Sequence, residues 1–532
     1  MSVVENSYYE EQYRSIFLPV IILVGVIGVF AILYAGGEWG IGVSHDSVFY
    51  LSSAENLING DGLFWTSGGG ELKPLVHFPP LYPLLLSASG FALGNLNHAS
   101  TILAALFFGV NVLIAALLIS YVTQSKLTVI LGAMIVVASP ILLNVHLETM
   151  SEPLFLALTL IGLGFTALYI KSKKRRDLII ALIAASGSFL TRYIGVSVIL
   201  TCSMALLFWY PASFRRRVWE AFRFGIIASI PNVIWYSRNY ILTGSFTNRV
   251  LTYHPIPLET LRDGLNNFST WFLSEAYEFR LRLISLAILL LLLVTLFIWT
   301  LLKGWKQEGG YNGHPFISIL ILFGITYSAL LIFSLTFIDA STPLSNRILS
   351  PLYLVGLILT IMVLSLAIDS SSGWWRRALL VVLMILFFGS QIIYAGQTFP
   401  LLEEARINGR GFNSKEWKQS EIVSRIQEEG MDVIIYSNEA FPIFYLTGVP
   451  SYWVPEKYDP VKATVRDEFD QMLTAMKENL ETPDGALVLF HSNSLRPGMP
   501  SLDEITGGLV MVFRGMDGEI YVSPGNEARW LR

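Results

Sequence analysis

Residues 44–87, SHDSVFYLSSAENLINGDGLFWTSGGGELKPLVHFPPLYPLLLS, place acids and histidines between two strongly apolar segments. The titratable side chains in this stretch include His45, Asp46, Glu55, Glu71 and His77. Charged groups beside membrane-spanning segments cost free energy unless water solvates them or the protein uses them. The stretch is therefore the first place to look for a functional site.

The composition is that of a membrane protein. Hydrophobic residues make up 53% of the chain and charged residues only 14%, with a mean hydropathy of +0.56, whereas a soluble domain carries about 25% charged residues. The net charge of −4 and the lack of basic tracts interleaved with aromatics exclude nucleic acid as a predicted partner. The single cysteine, Cys202, excludes a disulfide framework and a cysteine-based metal site.

Apolar runs predict about eleven membrane spans. The first, Ile16 to Ala35, has about the length of one bilayer crossing; an uncleaved span is favoured over a signal peptide, which would need a basic leader. The other runs lie at 99–122, 126–146, 152–170, 194–210, 218–237, 282–302, 315–338, 348–368 and 378–395, with a shorter one at 178–191.

Short basic loops fix the predicted orientation, because they stay cytoplasmic. They are residues 171–176, 215–217, Lys303 with Lys306, and 376–377. All four face the cytoplasm only if residues 79–95 do not cross the membrane, so the proline-led run there predicts an interfacial or re-entrant helix. The prediction is an α-helical polytopic plasma (inner) membrane protein with residues 1–395 in the membrane domain, its N-terminus inside and the 36–98 loop outside.

Residues 396–532 predict a small extracytoplasmic α/β domain. Ser414 can cap a helix that continues to Glu428, and residues 432–437 and 486–490 have the pattern of buried strands. Residues 509–522, around Met516-Asp517-Gly518, have the pattern of a hairpin.

Two acidic segments on the predicted outer face are candidates for catalysis. Asp46 begins a segment with helical periodicity over residues 47–59, and Glu148 and Glu152 lie in HLETMSEP, after the 126–146 span. A structural alternative is that Asp46 caps its helix and that Ser151 or Glu152 only starts the next one.

Arginines on the same face are candidates for binding a phosphate through their planar forks. They are Arg192, Arg238 and Arg347, and each could instead be an interfacial anchor. His77 could bind a metal together with Glu71 or Asp46, although no metal-binding spacing supports this. The complete set of predicted substrate-binding residues is Glu148, His77, Tyr82, Arg192, Tyr193, Arg238 and Arg347, with Asp46 and Glu152 as the catalytic pair.

Several short segments together resemble the GT-C superfamily of polytopic membrane glycosyltransferases. They are SHDSVFYLSSAENLINGDG, HFPPLYPLLLS, ETMSEPLF, FLTRYIG and NRILSPLY, within about residues 10–395. The likeness is to the branch that contains protein O-mannosyltransferases, the lipid A aminoarabinose transferase and RgtA/B/C/D-like glycosyltransferases.

The resemblance implies transfer of a sugar from a polyprenyl-phosphate donor to a glycan, lipid or protein acceptor on the outer side of the bilayer. It implies that Asp46 is the first-loop catalytic acid, that Glu152 is the acidic residue of the second loop, and that Arg192 and Arg347 contact the donor phosphate. Members with paired acids in the first loop differ from this sequence, in which His45 and Ser47 flank Asp46. Participation of a divalent cation is left open.

The residues fit this chemistry independently of the resemblance. Direct displacement at an anomeric carbon needs a base for the acceptor hydroxyl and cations for the leaving phosphate, and it inverts the configuration. A transporter or flippase of a lipid-linked or small polar substrate is the alternative, although the paired repeats of many transporters are not visible here. A third hypothesis makes the C-terminal domain a binding module and the spans its anchor.

Overall fold

The structure is a computed structural model of the 532-residue chain, and it describes residues 3–123, 125–271, 273, 275, 277–305, 315–430, 432–491 and 498–530. The membrane part is helical apart from one short hairpin. Lys306 of the predicted third basic loop lies outside the described residues.

The helices of the membrane part are α1 Val3–Gly36, α2 His45–Asn59, α3 Leu81–Leu93, α4 Leu96–Val122, α5 Lys126–Val137, α6 Pro140–His146, α7 Glu152–Ser172, α8 Arg175–Thr191, α9 Val196–Trp209, α10 Phe214–Thr243, α11 Leu258–Thr270, α12 Phe279–Trp305, α13 Pro315–Phe337, α14 Asn346–Ser370, α15 Trp374–Ala395 and α16 Thr398–Asn408. A hairpin of β1 Phe64–Thr66 and β2 Leu72–Pro74 follows α2.

Six stretches of helix in the described part of the chain are long and apolar enough to cross a membrane. They lie in α1, α4, α7, α13, α14 and the continuous pair α15–α16. The chain is a multi-pass membrane protein, but the predicted count of about eleven spans is not confirmed. Helices α8 and α9 contain only 17 and 14 residues, which is shorter than the roughly 20 residues that a crossing needs.

The predicted span at 126–146 is not one continuous helix. It is two helices, α5 and α6, bent by 52° at a short break. Pro140 lacks the N–H that would continue the helix, and the Ser139 hydroxyl caps the new helix by accepting from the Leu142 N–H at 3.4 Å. The acidic turn that follows α6 packs against the start of the α2 region, where the Gly42 N–H donates to the Leu147 carbonyl at 2.8 Å and the Tyr50 hydroxyl lies 3.0 Å from that of Ser151.

Helix α2 confirms the predicted periodicity but not the predicted cap. Ser44 is the N-cap, and the Ser47 hydroxyl accepts from the Ser44 N–H at 3.0 Å. Asp46 lies within the first turn, so its carboxylate is not needed as a cap. The apolar face of α2, including Val48 and Leu51, packs on protein rather than on lipid.

Helix α3 matches the predicted non-crossing helix in position. Its 13 residues span about 20 Å, less than the roughly 30 Å hydrocarbon core. It lies between α2 and α4.

The C-terminal elements are α17 Lys415–Lys418, α18 Glu421–Glu429, β3 Ile434–Ser437, α19 Ala440–Thr447, β4 Ser451–Trp453, β5 Tyr458–Asp459, β6 Thr464–Val465, α20 Phe469–Glu481, β7 Gly485–Phe490, α21 Leu502–Thr506, β8 Val510–Arg514, β9 Gly518–Val522 and α22 Glu527–Trp530. Five strands form a mixed sheet in the order β4-β3-β7-β9-β8. The two predicted buried strands and the predicted hairpin are confirmed as β3, β7 and β8–β9.

The predicted helix from Ser414 to Glu428 is two helices. Ser414 caps α17, and Ser420 caps α18 by accepting from the Val423 N–H at 3.0 Å. A hydroxyl that satisfies the free amides of a new first turn competes with continuation of the preceding helix.

The C-terminal part is joined to the first outer loop beside Asp46. The Phe412 N–H donates to the Val43 carbonyl at 2.7 Å. The imidazole of His45 lies 3.4 Å from the buried carboxylate of Glu439 and contacts the Phe412 ring. The C-terminal part therefore packs against the start of α2.

Gly411→Ala is expected to loosen this joint. Gly411 has a φ of +53°, and a Cβ there would lie 2.2 Å from the Val43 carbonyl oxygen. Gly244→Ala is the matched control, because Gly244 has a φ of +71° with no atom within 4 Å of its Cβ position. Backbone strain costs each variant about 1 kcal/mol, and the clash with Val43 is additional in Gly411→Ala, so its melting temperature should fall further, by about 1 °C for each further kcal/mol in a chain of this length. Equal melting temperatures of the two variants would contradict the close approach.

Candidate active site

Four charged side chains from four parts of the chain meet on the side of the molecule that carries the 36–98 loop. Asp46 comes from the first turn of α2 and Glu152 from the first turn of α7, while Arg192 follows α8 and Arg347 opens α14. An Arg347 amino group donates to the Asp46 carboxylate at 2.8 Å. The Glu152 carboxylate lies 2.6 Å from Arg192 and 3.5 Å from Arg347. The four groups form one alternating chain of charges.

Asp46 is the accessible one of the two carboxylates among these four charges. Its side chain is 36% exposed. Burial alone would raise the pKa of Asp46, but the charges of Arg347 and Arg192 and the hydrogen bond from Arg347 outweigh it. The pKa of Asp46 consequently lies below its ordinary value, and the group is a carboxylate at neutral pH.

Glu152 is only 2% exposed, and it does not line the two cavities described below. Two guanidinium groups compensate its charge, which would otherwise be costly in such a site. Its position fits a group that holds Arg192 and Arg347 rather than one that contacts a substrate. Ser151, beside it, accepts from Arg192 at 3.2 Å and lies 3.0 Å from the Tyr50 hydroxyl.

A cavity of about 620 Å³ opens next to this charge chain. Asp46, Arg192 and Arg347 line one part of it. Another part is apolar and is formed by side chains near the ends of α8, α9 and α13, namely Phe189, Ile194, Val196, Leu330, Leu331 and Phe333. The cavity is thus amphipathic, with its apolar wall on helices of the membrane part.

A second charged cluster lines the same cavity and was not predicted from the sequence. Arg249 pairs with Asp339 at 3.0 Å, and its guanidinium lies 3.4 Å from the His77 imidazole. Burial and the charge of Arg249 lower the pKa of His77 to about 4, against the raising effects of Asp46 and Asp339. His77 is therefore neutral at pH 7. Arg249 and Asp339 are far apart in the chain, and no local motif links them.

Glu148 lies on the other side of Arg347. It lines a smaller cavity of about 270 Å³ that also includes Arg347. Burial and the neighbouring carboxylates of Glu152 and Asp46 raise the pKa of Glu148, and the charges of Arg347 and Arg410 only partly offset this. Arg347 consequently forms part of the wall of both cavities.

The remaining predicted residues differ in position. Tyr193 lines the large cavity, donates to the Val76 carbonyl at 2.8 Å and stacks on Tyr236. Tyr82 is 2% exposed and packs behind Tyr50, so its phenol does not reach the cavity. Arg238 donates to the backbone carbonyls of Leu63 and Leu75 at 2.7 and 2.8 Å. It therefore holds the β1–β2 hairpin, and its side chain does not line the cavity.

The carboxylates do not form a ligand set for a metal in the described part of the chain, where no three acidic, histidine or cysteine side chains converge. Asp46 and Glu152 each face a guanidinium instead. His77 faces Arg249, and Glu71 pairs with Lys73 at 3.5 Å, away from Asp46. Arg192 and Arg347 supply positive charge to these two carboxylates.

The sequence matches no family model, and no curated protein is similar to it in sequence. Solved structures match the fold. ArnT from Cupriavidus metallidurans bound to undecaprenyl phosphate superposes with a TM-score of 0.58 at 12% identity, covering 97% of this chain and 99% of that one. The archaeal oligosaccharyltransferase AglB from Archaeoglobus fulgidus, in complex with an inhibitory peptide and a dolichol-phosphate, gives a TM-score of 0.55 at 12% identity over 91% of this chain and 70% of its own.

The arabinofuranosyltransferase AftD from Mycobacteria gives a TM-score of 0.50 at 14% identity, covering 96% of this chain and 40% of that one. All three are GT-C glycosyltransferases. The fold expected from the resemblance is confirmed: this chain has the GT-C fold, with a small mixed sheet after its membrane helices.

Proposed function

We propose that the protein is an inverting glycosyltransferase that moves a sugar from a polyprenyl-phosphate donor to a hydroxyl of an acceptor on the outer face of the plasma (inner) membrane. The observation that carries the proposal is the amphipathic cavity, in which a carboxylate and two arginines adjoin an apolar wall built by membrane helices. A lipid-linked sugar phosphate has the same division into an apolar chain and a charged, polar head.

Two arginines are suited to hold the donor phosphate. Arg192 and Arg347 line the cavity and already lie near each other, because both contact Glu152. Guanidinium forks bind phosphate oxygens in two parallel hydrogen bonds. The prenyl chain then lies along Leu331 and Phe333, at the end of α13. ArnT and AglB, with the same fold, were solved with undecaprenyl phosphate and a dolichol-phosphate, respectively.

The reaction is a single displacement. The oxygen of the acceptor hydroxyl forms a bond to the anomeric carbon while the bond from that carbon to the phosphate oxygen breaks. The electron pair of the broken bond leaves with the phosphate, where Arg192 and Arg347 stabilise the charge. The hydroxyl proton passes to the Asp46 carboxylate and then to water. The products are an inverted glycoside and polyprenyl phosphate.

Binding of the donor activates the base. In the free protein Arg347 holds Asp46 as a weakly basic carboxylate. A donor phosphate competes for the same guanidinium, which weakens the ion pair and brings an additional negative charge near Asp46. Both changes raise the pKa of Asp46, because a lost cation and an added anion each disfavour its charged form.

The pH dependence of transfer tests this coupling. Because the base must be deprotonated, activity rises with pH, and the acid limb of kcat/KM reports Asp46 in the free protein whereas that of kcat reports it with donor bound. We expect the limb of kcat/KM below the ordinary pKa of 3.8, with the limb of kcat about one pH unit or more higher. Initial rates between about pH 2.5 and 8, at limiting and at saturating donor, supply both curves. A kcat limb at or below that of kcat/KM would contradict the coupling.

The basic loops support the proposed orientation. They lie at residues 171–176, 215–217 and 376–377, between helices whose opposite ends carry the charged site. Short Lys/Arg-rich loops remain in the cytoplasm, so the N-terminus is inside and the site faces outward. The part that follows α16, residues 409–532, is then extracytoplasmic because it packs on α2 beside Asp46.

A further inference from the structure

The smaller cavity, on the far side of Arg347, has no role in the donor scheme. Its described lining includes Asn144, Glu148, Glu275, Asn346 and Gln397. Amide and carboxylate groups bind hydroxyls by donating and accepting hydrogen bonds. At about 270 Å³ it is less than half the size of the large cavity, which measures about 620 Å³. It is suited to a small polar group rather than to a prenyl chain.

We infer that this smaller cavity binds the acceptor and selects a neutral polyhydroxyl group, such as an uncharged sugar ring, over an anionic one. The inference rests on the proposed function. Arg347 lines both cavities, so a hydroxyl that passes Arg347 from the smaller cavity reaches Asp46, which lies 2.8 Å from that guanidinium. The transfer step is the displacement given above, with the acceptor on one side of the anomeric carbon and the phosphate on the other.

The preference for a neutral acceptor is expected to come from the charged groups that line the smaller cavity. Glu148 and Glu275 contribute carboxyl groups, and the only cation among the described lining residues is Arg347. Arg347 is already paired with Asp46 and Glu152 and is then needed for the donor phosphate. A phosphate or carboxylate on the acceptor would therefore face Glu275 without a free cation, and like charges at close range are unfavourable.

Glu275 can be substituted without breaking an ion pair, because its side chain is exposed and forms none in the described part of the chain. Glu55→Gln is the matched control: Glu55 is also an exposed acid, and it lines a different groove formed by α2, α19 and the turn between α3 and α4. Neither acid belongs to the charge chain that contains Asp46.

The experiment uses the full chain in liposomes with a labelled polyprenyl-phosphate sugar and three synthetic acceptors: an octyl glucoside, an octyl glucuronide and an octyl glucoside phosphate. Transfer to each acceptor and binding of undecaprenyl phosphate are measured separately. We expect the neutral acceptor to be preferred about tenfold or more, and Glu275→Gln to reduce this preference about threefold without changing lipid binding. Glu55→Gln should leave both quantities unchanged.

Preference for an anionic acceptor, or an unchanged preference in Glu275→Gln, overturns the acceptor inference while leaving the proposed function standing. Absence of transfer from the labelled lipid to any acceptor, together with absence of lipid binding, overturns the proposed function itself. The two failures are therefore distinguishable.

Discussion

Asp46→Asn is expected to reduce sugar transfer by about 10³-fold or more while strengthening donor binding. The amide cannot accept the hydroxyl proton, and loss of a general base costs about 10²–10⁴-fold in rate. The same change removes the anion that pairs with Arg347 at 2.8 Å. Arg347 then keeps only its longer contact to Glu152, so Kd for undecaprenyl phosphate should fall several-fold. Opposite changes in turnover and affinity distinguish a base from a residue that only binds.

Asp61→Asn is the matched control, because Asp61 is an exposed acid in the same outer loop and lies just after α2. Its transfer rate and Kd should equal those of the wild-type protein. Melting temperature and gel-filtration profile establish that Asp46→Asn is folded. Wild-type turnover in a folded Asp46→Asn protein removes Asp46 from the chemistry.

Arg347→Gln is expected to weaken binding of undecaprenyl phosphate by about 30–150-fold, the effect of losing a charge-assisted hydrogen bond worth about 2–3 kcal/mol. Transfer should fall by a larger factor, since Arg347 also stabilises the leaving phosphate. Stability should fall as well, because Glu152 is 2% exposed and would retain only Arg192 as a cationic partner.

Two further variants sharpen this prediction. Arg347→Lys keeps the charge but loses the planar fork, so its Kd should lie between those of the wild-type protein and Arg347→Gln. Arg238→Gln controls for loss of a nearby arginine, since Arg238 binds the Leu63 and Leu75 carbonyls outside the cavity. Native mass spectrometry gives the Kd for undecaprenyl phosphate of the wild-type protein and of the three variants. Equal Kd values for Arg347→Gln and Arg238→Gln would contradict a phosphate site at Arg347.

Much of the fold is predictable because local patterns determine it. The period of apolar residues predicted α2, the proline-led run predicted a short helix at α3, and alternating apolar residues with a Met516-Asp517-Gly518 turn predicted the last hairpin. The number of spans is harder to predict. Run length alone cannot show that α5 and α6 bend by 52° at the break before Pro140.

The charged site is only half predictable. A carboxylate or arginine beside an apolar run is unusual enough to be noticed singly, which identified Asp46, Glu152, Arg192 and Arg347. Their pairing depends on four chain segments meeting, which no local pattern encodes. Arg249 and Asp339 were missed for that reason, although they form an ion pair at 3.0 Å.

The same limit applies to two predicted substrate-binding residues that do not line the cavity, Tyr82 and Arg238. Tyr82 lies in a distinctive motif, but its ring is buried behind Tyr50. Arg238 ends a predicted span, yet it binds backbone carbonyls of the β1–β2 hairpin. A distinctive residue can stabilise the wall of a site without facing it.

The most direct test of the proposed function follows the label of a polyprenyl-phosphate sugar in liposomes that contain the purified protein and a cell-envelope fraction as acceptor. We expect the label to move from the lipid to a product without a prenyl chain, with inverted anomeric configuration, and Asp46→Asn to abolish this movement. Label that stays on its lipid while the lipid crosses the bilayer would contradict glycosyl transfer and identify a transporter.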